Sequence, residues 1–172
     1  MTRIILQKTT MVSALALLLL AGGCSLKSNN TVTNDGSSNV SSMNNTRNSD
    51  QNKRIVRDFY EGVFLRHQVE EFSDRYIGDT YVQHNPMVAS GKEPFVEFFT
   101  QYFKANPQAK NVIKRVIAEG DLVMLHVHST KNDRDRGSAV VDIFRVENGK
   151  IVEHWDVQQD IPERTRNNNG VF

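Results

Sequence analysis

The stretch that decides the fold is Val-Asp-Ile-Phe-Arg-Val-Glu-Asn-Gly-Lys-Ile-Val-Glu-His-Trp-Asp-Val-Gln, residues 141–158. Apolar and polar residues alternate on both sides of Asn148 and Gly149, as they do along β-strands that have one buried face. Asn-Gly is a strong hairpin signal, because both residues tolerate a positive φ angle. The stretch therefore predicts an antiparallel hairpin of two long strands, residues 138–147 and 150–158.

Upstream of this hairpin the same alternation recurs, and further upstream it gives way to a helical period. Alternating segments predict strands at 111–119 and 122–130, with a shorter extended piece at 81–84. Apolar residues spaced three or four apart predict helices at 53–67, 69–76 and 91–105. Helices followed by an antiparallel meander predict an α+β domain over residues 53–172, in which a curved antiparallel sheet wraps around the helices and encloses a pocket.

Charge and cysteine content exclude several classes of protein. The chain of 172 residues has a net charge of +1, and residues 53–172 hold 17 Lys and Arg against 18 Asp and Glu, a net charge of −1. A nucleic-acid-binding domain usually carries a clear basic excess, so no nucleic-acid partner is expected. The single cysteine, Cys24, excludes a disulfide within the chain and a zinc site built from cysteines.

The N-terminus predicts export and anchoring. Residues 1–24 combine a basic start, an apolar run of about ten residues that is too short to span a bilayer, and Ala-Gly-Gly-Cys, which resembles a bacterial lipobox. We expect cleavage before Cys24, lipidation of its thiol, and a chain anchored to a membrane in the cell envelope. Ser25 favours the outer membrane if the cell is Gram-negative. Residues 25–52 are rich in Asn and Ser, which predicts a disordered tether.

Four stretches, residues 81–86, 118–126, 141–158 and 168–172, resemble the SnoaL-like polyketide cyclase family of the NTF2-like superfamily. The likeness is greatest to the branch of predicted aldol-condensation enzymes. The resemblance implies a cone-shaped α+β fold, a deep apolar pocket and acid–base chemistry without a cofactor. It also implies a homodimer and a small-molecule ligand that is apolar or contains a carbonyl group.

Strand parity selects the candidate site, because alternate side chains share one face of a strand. Removing a proton from a carbon beside a carbonyl needs a base that works near neutral pH, which a histidine or a carboxylate in an apolar pocket can supply. Asp156 with His84, or Asp142 with His126, would form such a pair. The predicted catalytic set is Asp156, His84, His126, Asp142 and His154, in a cavity lined by Phe95, Phe99 and Met124.

Other interpretations of these residues remain open at this stage. A His–Asp pair can simply hold strands together, and the cavity can bind a ligand without chemistry. His126 and His128, joined by His84 or His154 and a carboxylate, would suit zinc, although the predicted site contains no metal. His67 is expected to be a surface residue at a helix C-terminus.

The opposite parity predicts an outer face. Trp155 and Glu153 should lie outside the cavity. An outer apolar face would be too large for a small monomer to expose, which predicts a two-fold dimer through the sheet. The apolar residues expected on this outer face are Ile113, Ile117, Val123, Leu125, Val127, Val141 and Ile143.

Overall fold

The structure, a computed structural model, describes residues 36–172. Three helices precede or interrupt a five-stranded sheet: α1 (Gly36–Phe64), α2 (Val69–Tyr76), β1 (Ile77–Gln83), α3 (Lys92–Ala105), β2 (Lys110–Glu119), β3 (Leu122–Thr130), β4 (Ser138–Glu147) and β5 (Lys150–Asp160). The α+β class and the order of elements agree with the prediction. The predicted signal segment and Cys24 lie outside the described residues, as does the first part of the expected tether. Among the helices of residues 36–172, none is long and apolar enough to cross a membrane.

Helix α1 starts earlier than expected, at Gly36 instead of residue 53, and so takes in residues 36–52 of the segment predicted to be a tether. The local sequence lacks an apolar period there, but extending a helix from a packed segment costs much less than starting one. The upstream turn also gains contacts of its own. Asn52 donates its side-chain amide to the carbonyl of Gly120 at 3.2 Å, and Lys53 pairs with Asp50 at 2.7 Å.

The packed part of α1 forms the centre of the core. Its inner stripe of Val56, Phe59, Tyr60 and Val63 is at most 1% exposed, and the stripe faces the sheet and the other two helices. Gly62 lets α2 come close, because a Cβ at this position would lie 2.1 Å from the ring of Phe72.

The sheet has the order β1-β5-β4-β3-β2. Strands β2 to β5 form the predicted antiparallel meander, and Asn148 and Gly149 take φ angles of 49° and 80° in the turn of the last hairpin. One pairing departs from the predicted antiparallel sheet, because β1 pairs with β5 in parallel and the sheet is therefore mixed. The chain passes through α3 and the meander before β5 returns beside β1, and only the tertiary arrangement determines that direction.

Two register shifts decide which side chains face inward. On β5 the pairing passes from Arg145–Glu153 to Val146–Ile151, so Val152 is an extra residue and Ile151 is fully buried in the core. The parity prediction placed Val152 on the inner face, and the bulge explains the reversal. On β2 the pairing skips Lys114 in the same way, which turns Ile113 inward.

The inner and outer faces of β3 are the reverse of the prediction. Val123, Leu125 and Val127 are completely buried in the core, whereas Met124 and His126 face the outer side. Both faces of this strand carry apolar residues, so its alternation could not show which one faces the helices. The outer face of the sheet therefore holds Ile117, Leu122, Met124, Val141, Ile143, Trp155 and Val157.

Candidate functional site

A cavity of about 240 Å³ lies between α1, α3 and the inner face of the sheet. Most of its wall is aromatic and apolar, and it includes Phe64, Phe95, Phe98, Phe99, Phe103, Phe144 and Val140. Polar side chains gather on one wall, and they come from α1, from β1 and the segment after it, and from β2, β4 and β5. They include Tyr60, Tyr81, Gln83, Asn85, Asn111, Asp142, His154 and Asp156. The cavity thus offers a small apolar space with one polar wall.

The polar wall is built around Asp142, which is 6% exposed. Tyr60 donates its hydroxyl to Oδ2 of Asp142 at 2.7 Å, and Nε2 of His154 lies 3.1 Å from Oδ1. The side-chain amide of Asn111 donates to the Tyr60 oxygen at 3.1 Å. Both carboxylate oxygens are therefore engaged, and the chain of bonds ties helix α1 to strands β2, β4 and β5.

Hydrogen bonding to Gln83 determines where the His154 protons lie. The backbone N–H of Asn85 donates to Oε1 of Gln83 at 3.0 Å, which identifies that atom as the oxygen. Nδ1 of His154 lies 2.7 Å from the same oxygen, so Nδ1 must be the donor. The contact between Nε2 and Asp142 then needs one proton between its two atoms, carried either by an imidazolium or by a neutral carboxylic acid.

Asp156 is the carboxylate that remains open to a ligand. It is half-buried in the cavity wall beside Asp142, its partner in the β4–β5 register. Asn85 donates its side-chain amide to Oδ2 of Asp156 at 2.5 Å. Within the described part of the chain Oδ1 has no hydrogen-bond partner, so this oxygen can accept a proton or a hydrogen bond from a bound molecule.

The tyrosines of the wall stay neutral. Burial, followed by the charge of Asp142, raises the pKa of Tyr60 well above its usual value. Burial is also the main cause that raises the pKa of Tyr81, to which Asp142 and Asp156 add. Both phenols therefore act as hydrogen-bond donors at any ordinary pH.

The structure brings together only part of the predicted set. Asp142, His154 and Asp156 share the cavity with Phe95 and Phe99. His84 does not belong to it, since its ring stacks on Trp155 at 4.8 Å and its Nε2 meets Glu153 at 2.9 Å. The proposed pairing of Asp156 with His84 is therefore wrong, whereas the expected position of Trp155 and Glu153 outside the cavity is correct.

His126 and Met124 are also outside the cavity, because both lie on the outer face of β3. His126 contacts Arg115 through its ring nitrogen at 3.0 Å and packs against Phe172, which also covers His128. The pairing of Asp142 with His126 and the zinc set built on His126 and His128 are both excluded by this placement.

A different group could hold a metal ion. Three ligand atoms, one each from Asp142, His154 and Asp156, lie within 4.8 Å of one another. Nδ1 of His154 is oriented by Gln83, as the outer nitrogen of a metal-bound histidine usually is. The proton shared by His154 and Asp142 explains the close approach of their two atoms equally well, without a metal ion.

His67 is half-buried instead of lying at the surface as a simple cap. It follows α1 with a φ angle of 57°, stacks on Phe103 at 4.0 Å and contacts the carbonyl of Ala109 at 2.9 Å. Its role in the structure is to fasten the end of α1 to the segment that leads into β2.

Sequence reasoning missed Tyr60, Tyr81, Gln83 and Asn85. Three of them carried a usable signal, since Tyr81, Gln83 and Asn85 alternate and so share one face. His84 lies between them and must point the other way. Tyr60 had the weaker signal of one polar atom within the apolar stripe of α1.

Comparison with known proteins identifies the family. The SnoaL-like domain profile matches residues 56–154, more than half of the chain. A SnoaL-like protein of unknown function from Burkholderia thailandensis shares 15% identity at a TM-score of 0.55, over 64% of this chain and 95% of that one. A proposed polyketide cyclase from Acidithiobacillus ferrooxidans shares 19% identity at a TM-score of 0.52, over 63% and 87%.

A third solved structure is also similar to this chain. A proposed ketosteroid isomerase from Kribbella flavida shares 17% identity at a TM-score of 0.54, over 70% of this chain and 86% of that one. At these identities the similarity concerns the fold alone. No curated protein matches the chain. The profile match and the mixed, curved sheet behind three helices together place the chain in the SnoaL-like domain family, with the NTF2-like fold.

Proposed function

We propose that the domain binds a small, largely apolar molecule that carries a carbonyl group, and that Asp156 acts on it as a general base without a cofactor. The reaction would be of the aldol, cyclase or isomerase type. The observation that carries the proposal is that Asp156 lines an aromatic cavity with its Oδ1 free of hydrogen bonds from the described residues, while Asn85 donates to its Oδ2.

Proton removal from a carbon beside a carbonyl has two requirements. A base must come within hydrogen-bond reach of the proton, and a donor must stabilise the oxygen on which negative charge develops. Asp156 can supply the base, and the neutral phenol of Tyr81, whose O–H has no acceptor among the described residues, can supply the donor. The shared proton of His154 and Asp142 lies beside them and keeps the wall in a defined orientation.

A non-catalytic ligand-binding module is the second candidate. The observation that favours it is the full engagement of His154 and Asp142 by Gln83, by Tyr60 and by each other. These residues then serve to hold the wall rigid, and Asp156 would only orient a ligand. The family resemblances to cyclases and isomerases do not decide between the two, because fold alone does not imply activity.

Deuterium exchange separates the two candidates. The full chain would be incubated in D₂O with acetophenone and other small enolisable ketones, and deuterium uptake at the carbon beside the carbonyl followed by NMR. A general base predicts uptake that is lost in Asp156→Asn and kept in Asp133→Asn, a matched change at an exposed surface pair with Lys110. Binding without any exchange above buffer would favour the binding module.

We also propose that the mature chain is anchored in the cell envelope by lipid on Cys24, in the outer membrane if the cell is Gram-negative. The support is the pattern of residues 1–24, a basic start and an apolar run before Ala-Gly-Gly-Cys. Metabolic labelling with a fatty-acid probe tests the anchor, and equal labelling of wild type and Cys24→Ser would contradict it.

A homodimer through the outer face of the sheet is proposed as the assembly. Ile117, Leu122 and Val157 are 55%, 40% and 67% exposed on that face, a patch of apolar surface that a partner subunit would cover. Light scattering on residues 36–172 should give twice the monomer mass at micromolar concentration, and Ile117→Arg should lower it. A monomeric mass for the unmodified domain would refute this assembly.

A further inference from the structure

The cavity contains two acidic side chains and, among the described residues, no lysine or arginine in its wall. Asp142 and Asp156 can both be negative, and His154, the one lining side chain able to take a positive charge, is already paired with Asp142. Additional negative charge near Asp156 would have no opposite charge to balance it. Because an unpaired charge in such a site is costly, the cavity is unfavourable for a carboxylate or a phosphate.

Tyr81 provides the complementary feature. Its side chain is 3% exposed, packs edge-on against Phe95 at 5.7 Å and forms part of the cavity wall. Its oxygen accepts a hydrogen bond from Nε2 of Gln83 at 3.4 Å, but within residues 36–172 its own O–H has no acceptor. A buried donor of this kind normally has a partner, which here can be supplied by an oxygen of the bound molecule.

Asn85 and Gln83 hold this donor and the open carboxylate on one wall. Asn85 binds Asp156 through its side chain and Gln83 through its backbone, and Gln83 in turn contacts Tyr81. Tyr81, Asp142 and Asp156 all line the same cavity of about 240 Å³. A ligand oxygen placed at Tyr81 would therefore have a carboxylate nearby.

We infer that Tyr81 donates a hydrogen bond to the oxygen of a neutral carbonyl compound, and that the cavity selects such compounds against carboxylates of the same size. The inference rests on the proposed function for the carbonyl group. It does not require Asp156 to act as a base, because the negative charge of Asp156 is sufficient to reject an anion.

Acetophenone and benzoate form a matched pair of probes, since benzoate replaces the methyl group of the ketone by a charged oxygen. Their affinities for the full chain would be measured by ligand-observed NMR titration. The variants are Tyr81→Phe, Asp156→Asn and, as a control for loss of a tyrosine hydroxyl elsewhere, Tyr76→Phe, whose hydroxyl bonds Asp58 outside the cavity. Circular dichroism would show that each variant is folded.

Wild type should bind acetophenone at least about tenfold more tightly than benzoate. Tyr81→Phe should weaken acetophenone by about tenfold, Tyr76→Phe should leave it unchanged, and Asp156→Asn should reduce the discrimination against benzoate. Equal or tighter binding of benzoate, absence of saturable acetophenone binding, or an unchanged affinity in Tyr81→Phe would overturn the inference. Discrimination that persists without deuterium exchange would refute the base role of Asp156 and leave this inference intact.

Discussion

Replacing Asp142 tests the buried network that supports the cavity wall. Asp142 is 6% exposed and accepts one hydrogen bond from Tyr60 at 2.7 Å, while His154 lies 3.1 Å from its other oxygen. Asp142→Ala leaves the Tyr60 hydroxyl and Nε2 of His154 buried without this hydrogen-bond partner. Each stranded group costs about 1–3 kcal/mol, and breaking a buried pair costs about 3–5 kcal/mol in total. We therefore expect Asp142→Ala to lower the free energy of unfolding by about 3–5 kcal/mol.

Asp142→Asn should behave differently, because the protons of His154 are placed by Gln83. With Nδ1 of His154 donating to Gln83, neutral Nε2 can accept a hydrogen bond from the new amide N–H. The amide oxygen can still accept from Tyr60. No group is left unpaired, so the loss should be below about 1.5 kcal/mol, the size of one net hydrogen bond.

Urea unfolding followed by circular dichroism measures both variants, with Asp133→Asn and Asp133→Ala as surface controls that should change stability by at most about 0.5 kcal/mol. If Asp142→Asn were as destabilising as Asp142→Ala, the pair would need its charge. The expectation that a neutral His154 can pair with the new amide would then be refuted.

Three further predictions concern packing and pH. Gly62→Ala should cost about 1–3 kcal/mol in urea unfolding, because its Cβ would overlap the ring of Phe72; an unchanged midpoint would contradict that contact. The hydrogen bond from His84, followed by that from Arg145, lowers the pKa of Glu153. The stabilisation that ionised Glu153 provides is therefore present above the pH range in which carboxyl groups ordinarily titrate, and it is lost as pH falls through the lowered pKa. In that pH range the melting temperature of Glu153→Gln should depend less on pH than that of the wild type. Burial raises the pKa of Tyr60. The stabilisation that its neutral phenol provides is therefore present below the pH range in which tyrosine ordinarily titrates, and it is lost as pH rises through the raised pKa. Ultraviolet titration should show this phenol ionising only as the protein unfolds; early, reversible ionisation of all four tyrosines would be inconsistent with its burial.

Much of the fold could be predicted from local sequence pattern, because each element carries its own period. Helix α2 and the last hairpin follow directly from apolar spacing and from Asn148 and Gly149. Two features could not be predicted in this way. The parallel pairing of β1 with β5 depends on tertiary packing, and the bulge at Val152 adds one residue that no alternation rule anticipates.

The site was predicted correctly on β4 and β5, where alternate side chains share one face. On β4 and β5, Asp142, His154 and Asp156 were assigned to the inner face, and the structure places them there. On β3 both faces are apolar, so the histidines were assigned to the wrong side. His84 was chosen for its chemistry although its neighbours at 83 and 85 share the cavity face, and parity alone would have selected those neighbours.

The position of β1 in the sheet has a consequence for how the chain folds. Among the described strands β1 pairs with β5 alone, and the register joins Gln83 to His154. A long loop must close before that pairing forms, which makes it a non-local and therefore slow step. During synthesis β1 emerges well before its partner exists, so its edge stays open until the last strand is made. The polar wall takes Tyr81, Gln83 and Asn85 from one side of this junction and His154 and Asp156 from the other. The ligand site therefore forms only when folding is nearly complete, and a chain truncated before β5 would keep most of its hydrophobic helices but have no site.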